Sequence, residues 1–197
     1  MNEHQGKYSG IKITAVETFL VEGNCCFVKI STNEGITGLG EGSISDNKVG
    51  TIAQCIKDME GHLIGKDPTN IEYLWQGLYR WNRWHVGVLF STALSAIDIA
   101  LWDILGKVAG LPIYKLLGGA ARDKVRIYTG GSGKSGVQHA RSIGCNAVKT
   151  GPPVTKVDDN LTVPMPWNLG RAVKQIEEMR LESGDDFDIL IDAHGRL

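Results

Sequence analysis

Two short stretches carry side chains whose types and spacing can do chemistry. The first is Asp192-Ala193-His194-Gly195-Arg196, at the end of a predicted strand. A strand-end carboxylate is a hard oxygen ligand of the kind a divalent cation takes, and it serves equally well as a cap or turn residue. His194 lies two residues further on, so it points to the same side as Asp192 if the chain stays extended. An imidazole there can pass a proton to a departing hydroxide, or it can sit in a surface turn. The second stretch is Ala147-Val148-Lys149-Thr150-Gly151. Lys149 stands at another strand end, where on its own it reads as a surface lysine.

The N-terminal half offers weaker candidates. Ser45 and Asn47, in the polar loop from Ser43 to Val49, are short side chains suited to hydroxyl groups. Glu22-Gly23-Asn24 is a second loop, and Trp81-Asn82-Arg83-Trp84-His85 a third cluster. As sequence, all three read equally well as ordinary polar loops.

The elements that must position these groups fall into two patterns. Residues 124–129, 146–150 and 188–192 read as strands, separated by helical stretches at 137–143 and 168–181. Strands alternating with helices mean βα units and a parallel sheet. Pro152, Pro153, Pro164 and Pro166 bar regular structure between two of them. Upstream, residues 11–21, 24–32 and 36–42 read as an antiparallel meander, with Asn33-Glu34-Gly35 as a turn and the glycines expected to loosen the third strand. A helix over 50–64 presents Ile52, Ile56, Met59 and Leu63 on one face, and Asp67-Pro68 breaks the chain before a second helix over 70–82. Strands first and helices after make an α+β domain.

The longest periodic segment runs from Val88 to Gly119. Phe90, Leu94, Ile97, Leu101, Ile104 and Val108 recur at helical spacing, widened by Ala93, Ala100 and Leu105. Asp103 and Lys107 are one turn apart and are expected to pair on the outer face. Gly110 stands where a helix ends in the left-handed region, and Pro112 opens a short following helix.

Composition narrows the class. The chain has 197 residues, 42% of them hydrophobic, and a formal net charge of −1. That balance gives no electrostatic handle for nucleic acid or an acidic membrane. No apolar run reads as long enough to cross a membrane, and the N-terminus lacks the apolar core of a signal peptide. Cys25, Cys26, Cys55 and Cys145 have no metal-ligand spacing, and they read as reduced thiols of a cytoplasmic protein.

The residue choices within Val88–Gly119 say more than their period. Ala93-x-Ser95-Ala96-Ile97-Asp98-x-Ala100-Leu101-Trp102-Asp103-Ile104-x-Gly106-Lys107, followed by Pro112-Ile113 and Leu116-Leu117-Gly118, resembles the signature of the mandelate racemase/muconate lactonizing enzyme family of the enolase superfamily. The resemblance implies an N-terminal α+β capping domain over residues 1–119, made of the three-stranded meander plus helices. Residues 120–197 then open a (β/α) barrel with its first three strands. An eight-fold barrel takes about 250 residues, and residues 125–197 supply fewer than a third of them. The expectation is therefore a truncated barrel and an incomplete enzyme.

The resemblance also assigns roles. Asp192 matches the first of three carboxylates that hold Mg2+, with the other two expected beyond Leu197. Asp-x-His-Gly-Arg looks like the family's sugar-acid dehydratases, in which the histidine corresponding to His194 is the general acid. Many members carry Lys-x-Lys at the second strand, but this chain has Lys149 followed by Gly151. Lys149 thus carries over as a partner of the substrate carboxylate and not as the base. Ser45, Asn47 and His85 would meet the sugar hydroxyls. The implied reaction is magnesium-dependent dehydration of an aldonate or aldarate to a 2-keto-3-deoxy acid, in a homo-oligomer whose partner is a small sugar acid, with no nucleic acid or membrane involved. A racemase or cycloisomerase of the same family and a non-catalytic binding module are the alternatives.

Overall fold

The computed structural model describes residues 10–22, 24–44, 48–81, 83–84, 87–151 and 169–193. It divides into two units, Met1–Ala121 and Arg122–Leu197, each with its own core.

In the first unit β1 (Ile13–Val21), β2 (Cys25–Thr32) and β3 (Thr37–Glu41) form an antiparallel sheet in that order. Strand β2 alternates strictly, burying Cys26, Val28, Ile30 and Thr32 on one face, as a half-covered strand must. Asn24 turns the first hairpin in the left-handed region, at φ 62°, which asparagine tolerates. Helices α1 (Val49–Leu63), α2 (Ile71–Trp81) and α3 (Val88–Ala109) supply the other side of the core, and α4 (Ile113–Leu116) follows. The predicted stripe of α1, Ile52, Ile56, Met59 and Leu63, is buried, and α2 buries Ile71, Leu74 and Leu78 with Trp75 and Tyr79 partly buried beside them. Helix α3 ends at Gly110, whose φ of 65° is left-handed.

Two expectations are corrected by α3. Its length and composition would suffice to cross a bilayer, against the expectation that no apolar run is long enough. Phe90, Ala93, Leu94, Ala96, Ile97, Ala100, Leu101 and Ile104 are instead buried against the rest of this unit, so the apolar content fills a protein core. The glycines of β3, expected to loosen it, make its tightest contact. A Cβ on Gly38 would overlap the Ala100 carbonyl oxygen, and one on Gly40 the Ala96 carbonyl oxygen. The sequence shows a glycine's freedom in φ and not the backbone that lies above it.

Asp103 and Lys107 do pair, at 2.7 Å, but not as an idle surface pair. Asp103 accepts the Leu39 N–H at 2.9 Å, and the Lys107 ammonium donates to the Thr37 carbonyl at 2.7 Å. The helix thereby takes up backbone groups of an edge strand that would otherwise face water.

The second unit is a parallel sheet of β4 (Thr129–Gly130), β5 (Ala147–Thr150) and β6 (Asp188–Ile191), joined by α5 (Gly133–Ser142) and α6 (Leu169–Ser183). Val137, Ala140, Cys145, Val148, Met179 and Phe187 form its core. Two elements differ from expectation. The strand over 124–129 pairs only at Thr129–Gly130, opposite Val148 and Lys149. Lower down, the Arg126 side chain donates to the Asn146 side chain and carbonyl, and a side chain links the two segments in place of a ladder. Helix α5 begins at Gly133, ahead of the predicted 137, and its Gly136 packs on Gly131 backbone to backbone with no room for a Cβ on either.

Replacing Gly40 with Ala should destabilise the chain by about 3 kcal/mol or more, beyond ordinary overpacking. Gly77→Ala, in α2 with nothing near its missing Cβ, should instead stabilise by about 0.5–1 kcal/mol. Urea unfolding of both variants checks this, and equal effects would contradict the close approach of α3 to β3.

Candidate functional site

The register of the second sheet decides which side chains meet at its C-terminal end. Lys149 lies opposite Leu190 and Thr150 opposite Ile191. The Asp192 N–H then continues the ladder by donating to the Thr150 carbonyl at 2.9 Å. Successive residues of a strand point to opposite faces, so Lys149 and Thr150 serve different sides of the sheet.

On one side, Lys149 Nζ lies 3.0 Å from Asp192 Oδ2, and both side chains are partly exposed. The ammonium also stands over the Tyr128 ring, 5.9 Å from its centroid. The hydrogen bond to Asp192, its charge and then Tyr128 raise the Lys149 pKa above its ordinary value. Lys149 is thus a fixed cation at the strand ends, and it can pair with an anionic ligand and no proton need leave it. At Gly151, where the resemblance leads one to expect a second lysine, a Cβ would meet, among the described residues, the Asp192 carbonyl oxygen at 3.8 Å.

On the other side, Thr150 is buried. Its hydroxyl lies 3.0 Å from Ser132 Oγ, just before α5, and accepts from Gln175 Nε2 of α6 at 2.9 Å. Sequence reasoning missed Tyr128, Ser132, Thr150 and Gln175. The available signal was Thr150 itself, a polar residue next to apolar Ala147 and Val148, where a buried hydroxyl must find partners.

Of the residues singled out from sequence, Lys149 and Asp192 are brought together. His194, Ser45, Asn47 and His85 lie outside the described residues, as do Asn82 and Gly23. Trp81 packs on His62, with centroids 4.3 Å apart, and Arg83 stands over the Trp84 ring. For a metal, Asp192 offers one hard oxygen ligand, already paired with Lys149. Among the described residues no group of three or more His, Cys, Asp or Glu side chains could hold an ion. They therefore do not by themselves make a magnesium site.

Because its folded pKa is raised, Lys149 stabilises the fold fully below the unfolded lysine value, and that contribution fades as pH rises through the folded one. The stability gap between the wild type and Lys149→Met should stay constant around neutral pH and narrow only above the ordinary lysine value of 10.5. Chemical denaturation over a pH series checks this. A gap that closes near pH 7 would contradict the pairing.

Residues 11–118 match the family model of the N-terminal domain of mandelate racemase / muconate lactonizing enzyme. The D-galactonate dehydratase of Xanthomonas euvesicatoria pv. vesicatoria (strain 85-10) is 34% identical over 194 residues, 95% of this chain and 49% of that protein. The chain spans about half the length of the curated relatives it matches. An enolase from Pantoea ananatis, solved with bound D-gluconate and Mg, shares 29% identity at a TM-score of 0.78, over 95% of this chain and 54% of that one. The 3,6-anhydro-D-galactonate cycloisomerase of Zobellia galactanivorans shares 29% at 0.79, over 94% and 52%. The meander backed by helices, the Val88–Gly119 signature and the match over residues 11–118 agree: this chain belongs to the mandelate racemase/muconate lactonizing enzyme family of the enolase superfamily.

Proposed function

We propose that the protein is a sugar-acid dehydratase, turning an aldonate or aldarate into a 2-keto-3-deoxy acid through an enediolate. The observation that carries this reading is the pairing of Lys149 with Asp192 at the C-terminal ends of adjacent parallel strands, the end at which βα folds bind ligands. Kinship with galactonate dehydratases supplies the substrate class.

In this reading the Lys149 ammonium pairs with the substrate carboxylate, favouring the extra negative charge that gathers there when the α-proton leaves. The α-carbon's C–H electrons move into the enediolate. They then expel the β-hydroxyl, which leaves as water on taking a proton from His194. The resulting enol tautomerises to the 2-keto acid. Gly151 cannot remove the α-proton, so the base comes from another element. Ser45, Asn47 and His85 are proposed to meet the sugar hydroxyls.

A magnesium ion is the cofactor this reading calls for, with Asp192 as one oxygen ligand. The Pantoea enolase solved with D-gluconate and Mg supports that choice. The described residues do not complete the ion's shell, and the roles given to Lys149 and His194 do not depend on it. A cytoplasmic homo-oligomer acting on a small sugar acid, with no nucleic acid or membrane partner, goes with the reading. Cycloisomerisation is the second reading, favoured by the Zobellia neighbour.

The full gene product carrying this sequence, incubated with magnesium and a panel of aldonates and aldarates in D2O, should release a 2-keto-3-deoxy acid from at least one. His194→Asn should cut that rate by about 10²–10⁴-fold, the usual share of a general acid. Exchange of the α-proton without loss of water would replace dehydration by racemisation or cycloisomerisation. Neither product nor exchange would leave a non-catalytic binding module.

A further inference from the structure

We infer that Gln175 is the positioning residue of this site: through Thr150 and Gly151 it fixes the end of β5 so that Lys149 reaches Asp192. The inference rests on the proposed function only for what Lys149 does to a substrate, and its geometry is independent of that reading.

Strand β5 is four residues long, and Gly151 follows it. A short strand that runs into glycine has little of its own to hold its last peptide in place. Gln175 supplies the hold. Its side-chain amide donates to the Thr150 hydroxyl at 2.9 Å and to the Gly151 carbonyl at 3.1 Å. The orientation of that amide is fixed by chemistry, because a carbonyl oxygen only accepts and so the nitrogen must face it. The Thr150 hydroxyl is in turn within hydrogen-bond distance of Ser132 Oγ, at 3.0 Å.

The two peptides just before that Gly151 carbonyl carry the neighbours. The Lys149 carbonyl accepts the Gly131 N–H at 3.1 Å, and the Thr150 carbonyl accepts the Asp192 N–H at 2.9 Å. Through the Thr150 hydroxyl and the Gly151 carbonyl, one side chain on α6 therefore brackets the peptide from which Asp192 hangs, at the strand end from which Lys149 projects. Gln138 makes a useful contrast. It bonds Glu182 across α5 and α6 at 2.9 Å, in an exposed position that touches no strand end.

The test uses the 197-residue chain and needs no substrate. Amide hydrogen exchange is followed by NMR at Gly131 and Asp192, with Val148 and Leu190 as references within the sheet, and the Lys149 ε-methylene shift is recorded beside them. Gln175→Leu should speed exchange at Gly131 and Asp192 at least tenfold relative to the references. It should also move the Lys149 shift toward that of Asp192→Asn. Gln175→Glu keeps the size but has no donor, and it should behave like Gln175→Leu, so the test survives if the leucine variant folds poorly. Gln138→Leu should leave all these signals in place. Unchanged Gly131 and Asp192 protection in Gln175→Glu, or an unmoved Lys149 signal, would overturn the inference. Failure of the full protein to dehydrate any sugar acid would instead count against the proposed function and leave these signals where they are.

Discussion

The register of β5 against β6 is the constraint on which the site depends. With Lys149 opposite Leu190, the ammonium and the Asp192 carboxylate come within 3.0 Å on one side of the sheet. A slip of one residue would turn Lys149 toward the helices and Thr150 toward the ligand side. That exchange would strand a charge among apolar groups and expose a hydroxyl built to be buried. The register is held by more than four residues of ladder. The buried Val148, Val137 and Met179 define one side, and the polar ties of Thr150 to Ser132 and Gln175 close the end.

The first unit rests on a different economy of space. Its core helix lies directly on an edge strand, with carbonyl oxygens of Ala96 and Ala100 where side chains of β3 would otherwise stand. Small residues on both elements make that approach possible, and Asp103 with Lys107 finishes it by binding the backbone of β3. The Val88–Gly119 signature is therefore largely a packing code. Its alanines set how close the helix sits, its Asp-Lys pair fixes the strand edge, and Gly110 stops the helix. Such a segment identifies the fold family firmly and says little about which substrate the family member takes.

How much was legible in the sequence follows from the same physics. The helices and the meander could be read because their apolar stripes and turn residues are local signals, and the signature gave the family outright. The strand reading of 124–129 overshoots because β-branched and aromatic residues mark a strand even where, among the described residues, no ladder partner stands beside them: Val125, Ile127 and Tyr128 are exposed. The glycines of β3 were misread because their reason lies in a helix some sixty residues away. Lys149 and Asp192 were visible as strand-end charges, but their contact depends on register, which no local pattern states. Gln175 carried no signal of its own in a helix already rich in polar residues.

The central claim is that Lys149 and its surroundings form a carboxylate-binding site for a sugar acid. Calorimetric titration of the full gene product with aldonates, comparing the wild type with Lys149→Met in the presence of magnesium, tests it most directly. Loss of a hydrogen bond to a charged group costs about 1.5–3 kcal/mol, so the account predicts at least a tenfold loss of affinity for the aldonate that binds. Equal affinity in the two proteins would contradict it.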